Sequence, residues 1–337
     1  MPSEKTADTN ACARPSLETI TSSQLNVARR RFLQTAMAGA GLLGLSQVSF
    51  GAKAAAAPSD IPPTQGVRSG KSNARDQDIL NFALNLEYLE AEFYLLAATG
   101  TGLTVYADTG SDQGPVGPTT GGHKVTFATP LIQQYANEVA ADELAHVRFL
   151  RAATTKTIPK PALDLSNSFT AAARALGLVS PTETFDAFAN ENNFLLASYI
   201  FEDVGVTAYK GAAALISNPA ILEAAAGLLA VEAYHAGLLR GVLASRAGLV
   251  ANPGSTQPPV TIGQAANAIS DFRDSVDGSP DLDQGILNPD GTANIVPTDA
   301  NGLAFSRTPG QVLAITYFSK TAESGGFFPN GVNGRIK

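Results

Sequence analysis

The sequence predicts an all-α fold, a four-helix bundle with an inserted loop and a loop-rich C-terminal extension. Four long stretches between residues 76 and 250 place their apolar residues at helical period, and capping or breaking residues flank these stretches. The stretches also repeat as two pairs. DELAHVRFLR at 142–151 matches VEAYHAGLLR at 231–240, 89 positions later.

The composition indicates a chain that can bury a full core. Of the 337 residues, 44% are hydrophobic and 16% are charged, which is too apolar for a chain that is disordered throughout. The formal net charge is −7, and basic residues cluster only near residue 30. We therefore expect no nucleic-acid partner.

The N-terminus resembles a twin-arginine export signal. ARRRFL at 28–33 is followed by a mildly apolar run rich in Gly and Ala. Residues 1–57 are predicted to be this signal peptide, which implies a periplasmic or extracellular location; an uncleaved amphipathic anchor is the alternative. Removal of residues 1–57 takes away Cys12, the only cysteine. It also takes away six of the 23 basic and three of the 30 acidic residues, which leaves a formal net charge of −10. The mature chain then has no disulfide and no thiolate ligand, and we expect no transmembrane span in it.

The bundle is predicted to span residues 76–250, after a linker at 58–75 that is rich in Pro, Ser and Gly. The first helix extends from Asp76 to a stop at Gly100. Residues 100–128, full of Gly, Thr and Pro, form the inserted loop. Thr129-Pro130 then gives an N-cap and a first-turn proline for the second helix, which ends near residue 154.

The third helix is predicted to begin at Ser180-Pro181-Thr182-Glu183, which has the form of a capping box, and to end near Ile216. A short helix near 168–176 precedes it. Asn218-Pro219 starts the fourth helix, which ends at Gly248. The extension, 251–337, contains two modest helical stretches at 263–275 and 309–318. It has too little periodic apolar content for a core of its own, so we expect it to pack on the bundle or on a partner.

Two Glu-x-x-His motifs carry the chemistry. Glu143 and His146 correspond in the repeat to Glu232 and His235. Residues at i and i+3 share one face of a helix, and that face is otherwise apolar, so both pairs are expected to point into the core. Surface Glu-His pairs are the alternative, but they would require the stripe from 139 to 150 to face solvent.

The first and third helices repeat in turn. Glu87 is followed seven residues later by Tyr94, and Glu202 is followed seven residues later by Tyr209. Seven residues are two turns, so each glutamate and its tyrosine lie on one stripe. The chain therefore presents Glu and Tyr on the first helix of each pair, and Glu-x-x-His on the second.

Four other polar residues lie near these positions, and each has a separate expected role. Glu90, one turn beyond the first of these glutamates, is an alternative ligand, although its counterpart in the repeat is Gly205. Asp142 is expected to accept a hydrogen bond behind the ligands. Glu92 is expected to be solvated, and Arg240 to form a salt bridge near a helix end.

Four glutamates and two histidines in a bundle interior need compensating charge. Buried unpaired carboxylates are costly, and carboxylates close to one another repel. Two divalent cations supply four positive charges against four negative ones. Carboxylates and imidazoles without thiolates favour iron or manganese. We therefore predict two Fe or Mn ions per chain.

These motifs resemble the ferritin-like superfamily, whose di-iron and di-manganese sites use one Glu from each of two helices and a Glu-x-x-His from each of the other two. The resemblance covers about residues 76–250. LNFALNLEYLEAEFY and the tail sequence GGFFPNGVNG are most similar to exported ferritin-like proteins related to plant desiccation-related proteins. The resemblance implies bridging roles for Glu143 and Glu232, terminal ligation by Glu87 and Glu202, one metal each for His146 and His235, and positions behind the ligands for Tyr94 and Tyr209.

A site of this kind activates oxygen or hydrogen peroxide, because two metals can share a two-electron change across one bound ligand. The sequence has no cysteine cluster and no Cys-x-x-Cys-His for an attached reductase. We therefore expect a ferroxidase or a manganese-catalase-like oxidoreductase, acting under oxidative or desiccation stress. The alternative is a non-catalytic stress-protection or envelope-binding protein whose metals only stabilise the bundle. A homo-oligomer is compatible with the sequence.

Overall fold

The computed structural model describes residues 73–337; the predicted signal peptide, 1–57, and residues 58–72 lie outside the described residues. Eight helices lie in the described part: α1 Ala74–Thr99, α2 Val105–Asp108, α3 Pro130–Ala153, α4 Asn167–Ala175, α5 Glu191–Ala213, α6 Pro219–Ser245, α7 Ile262–Asp277 and α8 Pro309–Tyr317. Two short strands, β1 Thr119–Thr120 and β2 Leu163–Asp164, pair in parallel. The predicted all-α fold is confirmed.

The bundle consists of two helix pairs, in the order of the sequence repeat. α1 packs along α3, and α5 packs along α6, while α1 and α5 contact each other between the pairs. α3 and α6 each bury one face, as amphipathic helices do. By contrast, α1 and α5 are buried almost all round, because other parts of the chain cover the side that the bundle leaves open.

The ends of α1 follow from its capping residues. The Asn73 side chain accepts a hydrogen bond from the Asp76 N–H, which satisfies one free donor of the first turn. Gly100 ends the helix with φ of 83°, a left-handed conformation that favours glycine, and its N–H donates to the Leu96 carbonyl. The predicted stop at Gly100 is confirmed.

The predicted start of the third bundle helix is wrong, because α5 begins at Glu191. Glu183 does accept a hydrogen bond from the Ser180 N–H, as in a capping box, but the box closes only a single turn. The Glu183 carboxylate also accepts hydrogen bonds from Ser255 Oγ and the Thr256 N–H in the extension. These distant partners hold residues 180–183 in a turn that does not continue as a helix.

The cap of α5 is Asn190, whose side chain accepts hydrogen bonds from the N–H groups of Asn192 and Asn193. The next residue, Glu191, contacts the segment just before a different helix. Its carboxylate accepts from the N–H groups of Ala128 and Thr129, just before α3 begins. The two long helices therefore share one set of polar contacts at this end of the bundle.

The extension packs on the bundle through aromatic side chains. Phe93 of α1 lies at the centre of an aromatic cluster, with ring centroids 5.6 Å from Phe194 and 5.4 Å from Phe201 of α5. Phe327 of the extension is fully buried, and its ring lies 4.8 Å from that of Phe201. One end of the extension therefore completes the bundle core.

A buried ion-pair network also joins the extension to the bundle. Arg240, near the end of α6, forms the predicted salt bridge: it is fully buried and donates to Asp203 Oδ2 of α5 at 2.7 Å. It also donates to the main-chain oxygens of Gln284, Gly285 and Asn294. The network contains three buried arginines and three buried aspartates: Arg240, Arg273, Arg307, Asp203, Asp277 and Asp283.

Among the described residues, one helix, α6, is long and apolar enough to cross a membrane by length and composition alone. In the bundle, α6 packs against α5 and directs Glu232 and His235 inward. Packing in a bundle explains the composition of α6 equally well.

We expect Arg240→Ala to lower the free energy of unfolding by about 3–5 kcal/mol, because it removes one partner of a buried ion pair and several donors to main-chain oxygens. Arg151, its counterpart in the repeat, pairs at 3.4 Å with Asp112, whose side chain is 64% exposed. Arg151 also donates to the hydroxyl of Tyr88 at 3.1 Å, which keeps its own hydrogen bond to the Ile158 carbonyl. Arg151→Ala is therefore the matched control and should cost about 2 kcal/mol or less, because it removes one exposed ion pair and one hydrogen bond but leaves no buried charge unpaired. Urea unfolding measures both; equal losses would contradict a network that anchors the extension.

Candidate metal centre

The six predicted ligands meet in the bundle interior, between the two helix pairs. The four glutamates are at most 1% exposed, and each histidine is 6% exposed. Each helix of the bundle contributes as the repeat predicts: α1 carries Glu87, α3 carries Glu143 and His146, α5 carries Glu202, and α6 carries Glu232 and His235. The surface Glu-His alternative does not describe this arrangement.

The first group of possible ligands surrounds His146. Its Nδ1 lies 3.2 Å from Glu87 Oε2, 3.3 Å from Glu143 Oε2 and 3.7 Å from Glu232 Oε1. One ligand atom from each of these four residues lies within 4.8 Å of the others. Three carboxylates and one imidazole therefore converge from three helices on a space of the size that one cation needs.

The second group surrounds His235. Its Nδ1 lies 3.0 Å from Glu143 Oε1 and 3.5 Å from Glu202 Oε2. Glu143 belongs to both groups and directs one carboxylate oxygen to each histidine. The two imidazole rings are 6.3 Å apart between centroids. The geometry is therefore that of two adjacent sites that share one carboxylate.

The two tyrosines connect the helix pairs across the centre. Tyr94 of α1 donates a hydrogen bond to Glu202 Oε1 of α5, and Tyr209 of α5 donates to Glu87 Oε1 of α1. Burial, and then the nearby carboxylates, raise the pKa of both phenols well above the usual value, so they remain donors. Each tyrosine fixes one oxygen of its glutamate and leaves the other oxygen near a histidine.

Asp142 orients one histidine. Asp142 Oδ2 lies 3.2 Å from His235 Nε2, while His235 Nδ1 faces the glutamates. This contact favours the tautomer that carries the proton on Nε2 and leaves Nδ1 free to bind a cation. The counterpart of Asp142 in the repeat is Val231, so His146 lacks the equivalent carboxylate. The two sites are therefore not equivalent.

Several atoms of this centre have no hydrogen-bond partner. Among the described residues, the buried side-chain atoms without a partner include Glu87 Oε2, Glu143 Oε1, Glu202 Oε2, both carboxylate oxygens of Glu232, and His235 Nδ1. A buried polar atom without a partner costs about 1–3 kcal/mol, and more if it is charged. Most of these atoms belong to the two ligand groups. The donor set therefore fits a site that binds metal cations.

The pKa values of the centre indicate which groups hold protons that bound cations would displace. Burial, followed by the charge of Glu87, raises the pKa of Glu143 to about 7. Burial alone would lower the pKa of His146, but the carboxylates of Glu87 and Glu143 outweigh it and raise that pKa to about 11. Burial and four neighbouring carboxylates also raise the pKa of Glu232 well above its usual range. Protons on these groups therefore offset part of the negative charge of the centre.

Glu90 and Gly205 break the symmetry of the repeat. Glu90 is buried, but it belongs to neither ligand group. A β-carbon built on Gly205 would lie 2.2 Å from Glu232 Oε2 and 3.8 Å from Glu90 Oε1. Gly205 therefore provides the space that the Glu232 carboxylate occupies. The sequence identifies Gly205 only as a residue that cannot bind metal, and the repeat gives no signal of this spatial role.

The prediction that Glu92 is solvated is wrong. Its side chain is buried and accepts hydrogen bonds from the Leu103 N–H at 2.8 Å and from Thr119 Oγ1 at 2.7 Å. Both donors come from the inserted loop, which covers the face of α1 that would otherwise meet water. His123 of this loop is exposed and lies 2.9 Å from Asp186, outside both ligand groups.

The fold and the site together define a helical-bundle protein with a buried carboxylate and imidazole centre that fits metal binding. The family profile described as "Ferritin-like domain" matches residues 75–245. The chain belongs to this family, and the predicted resemblance to the ferritin-like superfamily is confirmed.

Two curated relatives match most of the chain. It is 32% identical over 292 residues to "Ferritin-like catalase Nec2" of Nesocodon mauritianus, which covers 83% of this chain and 89% of that protein. It is also 32% identical over 269 residues to "Desiccation-related protein PCC13-62" of Craterostigma plantagineum, which covers 77% of this chain and 83% of that protein. No solved structure matches the chain.

We expect the affinity for Mn(II) to rise as the pH increases from about 6 to about 8, because cations must displace protons from this centre. The raised pKa of Glu143, about 7, means that this carboxyl holds a proton below neutral pH in the metal-free chain. Lower pH therefore favours the metal-free form. Calorimetric titration in buffers of different ionisation enthalpy measures both the affinity and the protons released.

The matched control is Glu138→Gln, which changes an exposed glutamate on the same helix and should leave the pH dependence as it is. An affinity that does not vary with pH would contradict metal binding at Glu143.

Proposed function

We propose that the chain binds two iron or manganese ions at this centre and dismutates hydrogen peroxide, converting two molecules of peroxide to two of water and one of oxygen. The observation that carries the proposal is the position of Glu143, which directs one oxygen to each ligand group. A shared carboxylate holds two cations close enough to act on one small molecule. The similarity to a relative named as a catalase supports this choice over ferroxidation.

We assign the ligand roles from the two groups. Glu143 would hold both cations, Glu87, His146 and Glu232 would hold the first, and Glu202 and His235 would hold the second. A bridging role for Glu232 is what the resemblance to the ferritin-like superfamily implies. Four carboxylates balance the charge of two divalent ions, and the absence of thiolates from the set favours iron or manganese. When bound, the two ions supply the reversible two-electron change by which peroxide is alternately reduced and oxidised.

Other residues of the chain would position the ligands and surround the centre. Tyr94 and Tyr209 hold the terminal carboxylates in place through their hydrogen bonds. A cavity of about 20 Å³ adjoins Glu90 and Gly205 and is otherwise lined mainly by apolar side chains of α1, α5 and the extension. It has room for one water-sized molecule, and none of the six proposed ligands lines it.

We also propose that the chain acts outside the cytoplasm, in the periplasm or the extracellular space, under oxidative or desiccation stress. The twin-arginine-type sequence at residues 28–33 supports export, and the similarity to a desiccation-related protein supports the stress context. Twin-arginine export carries folded proteins, so the metals would be bound before the chain leaves the cytoplasm.

A purely structural role for the metals is the competing proposal. The depth of burial favours it, because the histidines are only 6% exposed and the glutamates at most 1%. Metals at such a site would stabilise the bundle whether or not they turn over peroxide. Activity of the metal-loaded chain distinguishes the two roles.

We expect Glu143→Gln to lower peroxide turnover by the manganese-loaded chain by more than about 100-fold, because the substitution removes the charge shared by both ligand groups. Oxygen evolution after addition of peroxide measures the turnover, and elemental analysis measures the metal content. The matched control is Glu138→Gln on the same helix, which should keep both values.

Two outcomes would oppose the proposal. Turnover by the unmodified loaded chain no higher than that of free manganese would favour the structural role. Turnover in Glu143→Gln equal to that of the unmodified chain would contradict the placement of the active centre.

A further inference from the structure

The two histidines are the part of the proposed metal centre nearest to solvent. Each is 6% exposed, whereas the four glutamates are at most 1% exposed. His146 belongs to α3 and His235 to α6, and their rings lie 6.3 Å apart between centroids. The centre therefore approaches the surface where α3 faces α6.

Asp142 connects this side of the centre to the surface. Its side chain is 45% exposed, and its Oδ2 lies 3.2 Å from His235 Nε2. The other ring nitrogen, His235 Nδ1, lies 3.0 Å from Glu143 Oε1. A continuous series of contacts therefore leads from a solvent-exposed carboxylate, past one imidazole, to the glutamate that both ligand groups share.

The parts of α3 and α6 that surround the centre carry no lysine or arginine. Neither residue type occurs in residues 130–147 of α3 or 219–239 of α6. The first basic residues that follow, Arg148 on α3 and Arg240 on α6, are each paired with an aspartate. A surface that carries carboxylates without lysine or arginine attracts cations and raises their rate of association.

Two cavities that border the bundle interior have apolar walls instead. One, of about 20 Å³, lies among all four bundle helices, and its lining is apolar except for Tyr209. The other, also of about 20 Å³, adjoins Glu90 and is otherwise lined mainly by apolar side chains. A hydrated divalent cation would lose its water in either cavity and would meet at most one carboxylate in return. The side at Asp142 is therefore the more favourable approach for a cation.

We propose that divalent cations enter the centre between α3 and α6, beside Asp142, and that the Asp142 carboxylate attracts them before they reach the ligands. The inference rests on the proposed binding of cations at the centre and does not depend on peroxide turnover. It gives Asp142 a role in the rate of metal loading, in addition to its contact with His235. The counterpart of Asp142 in the repeat is Val231, so α6 has no equivalent carboxylate at this position.

The test is the rate at which the full, metal-free chain takes up Mn(II). Rapid mixing, followed by the electron paramagnetic resonance signal of free Mn(II), gives the association rate constant, and calorimetric titration gives the affinity. At an ionic strength of about 0.1 M, we expect Asp142→Asn to lower the association rate constant by about fivefold, because it removes the charge at the entrance. At about 1 M salt the difference should nearly disappear, because the screening length falls to about 3 Å. A role limited to orienting His235 would change the dissociation rate and leave the association rate and its salt dependence unchanged.

Two further variants separate the charge of Asp142 from its position. Asp142→Glu keeps the charge and should keep the association rate constant within about twofold of that of the unmodified chain. The matched control is Glu223→Gln, which removes an exposed carboxylate of α6 about 13 Å along the helix from Glu232. This distance exceeds the screening length of about 10 Å at 0.1 M salt, so the control should take up Mn(II) at the unmodified rate. Circular dichroism checks that all variants keep the helices.

Three results would overturn the entry role of Asp142 while leaving the metal centre in place. They are an unchanged association rate constant in a folded Asp142→Asn chain, a loss of rate that is the same at low and high salt, and an equal loss in Glu223→Gln. If the unmodified chain binds no Mn(II) in the calorimetric titration, the metal centre itself is refuted, and the entry role is refuted with it.

Discussion

The charge balance among four buried glutamates and two buried histidines is the constraint on which the rest of the structure depends. The helices bring these side chains within a few ångströms of one another, although burial and mutual repulsion both oppose their ionisation. The raised pKa values of Glu143, Glu232 and His146 let protons offset part of this charge, and several ligand atoms have no hydrogen-bond partner among the described residues. Two divalent cations would be bound by the same atoms and would balance the same negative charge. The tyrosine contacts between α1 and α5 hold the two halves of the centre in register.

The inserted loop and the extension cover the two helices that carry Glu87 and Glu202. α1 and α5 would each expose a face in a simple four-helix bundle, but the loop covers Glu92 of α1, and the extension places Phe327 against Phe201 of α5. The buried arginine and aspartate network then fixes the extension to α5 and α6. Residues 282–307 of the extension cover α5 and α6 and enclose a separate cavity there.

Much of the fold and of the centre could be predicted because the signals are local. Helical period, capping residues and the two Glu-x-x-His motifs place the ligands on inward faces, and the duplication identifies Glu87 and Glu202 as a matched pair. The start of α5 could not be predicted, because the turn at Ser180 is held by Ser255 and Thr256, more than 70 residues away. The burial of Glu92 and the space provided by Gly205 also depend on distant partners that no local pattern contains.

Anomalous diffraction from crystals grown with manganese would show directly whether this centre binds two cations. We expect two peaks per chain. One lies near His146 Nδ1, beside Glu87, Glu143 and Glu232, and the other lies near His235 Nδ1, beside Glu143 and Glu202. Glu90 should contact neither peak. A map with no peak or with only one peak among these side chains would contradict a centre that binds two cations. A peak beside Glu90 in the place of Glu87 would contradict the proposed ligands.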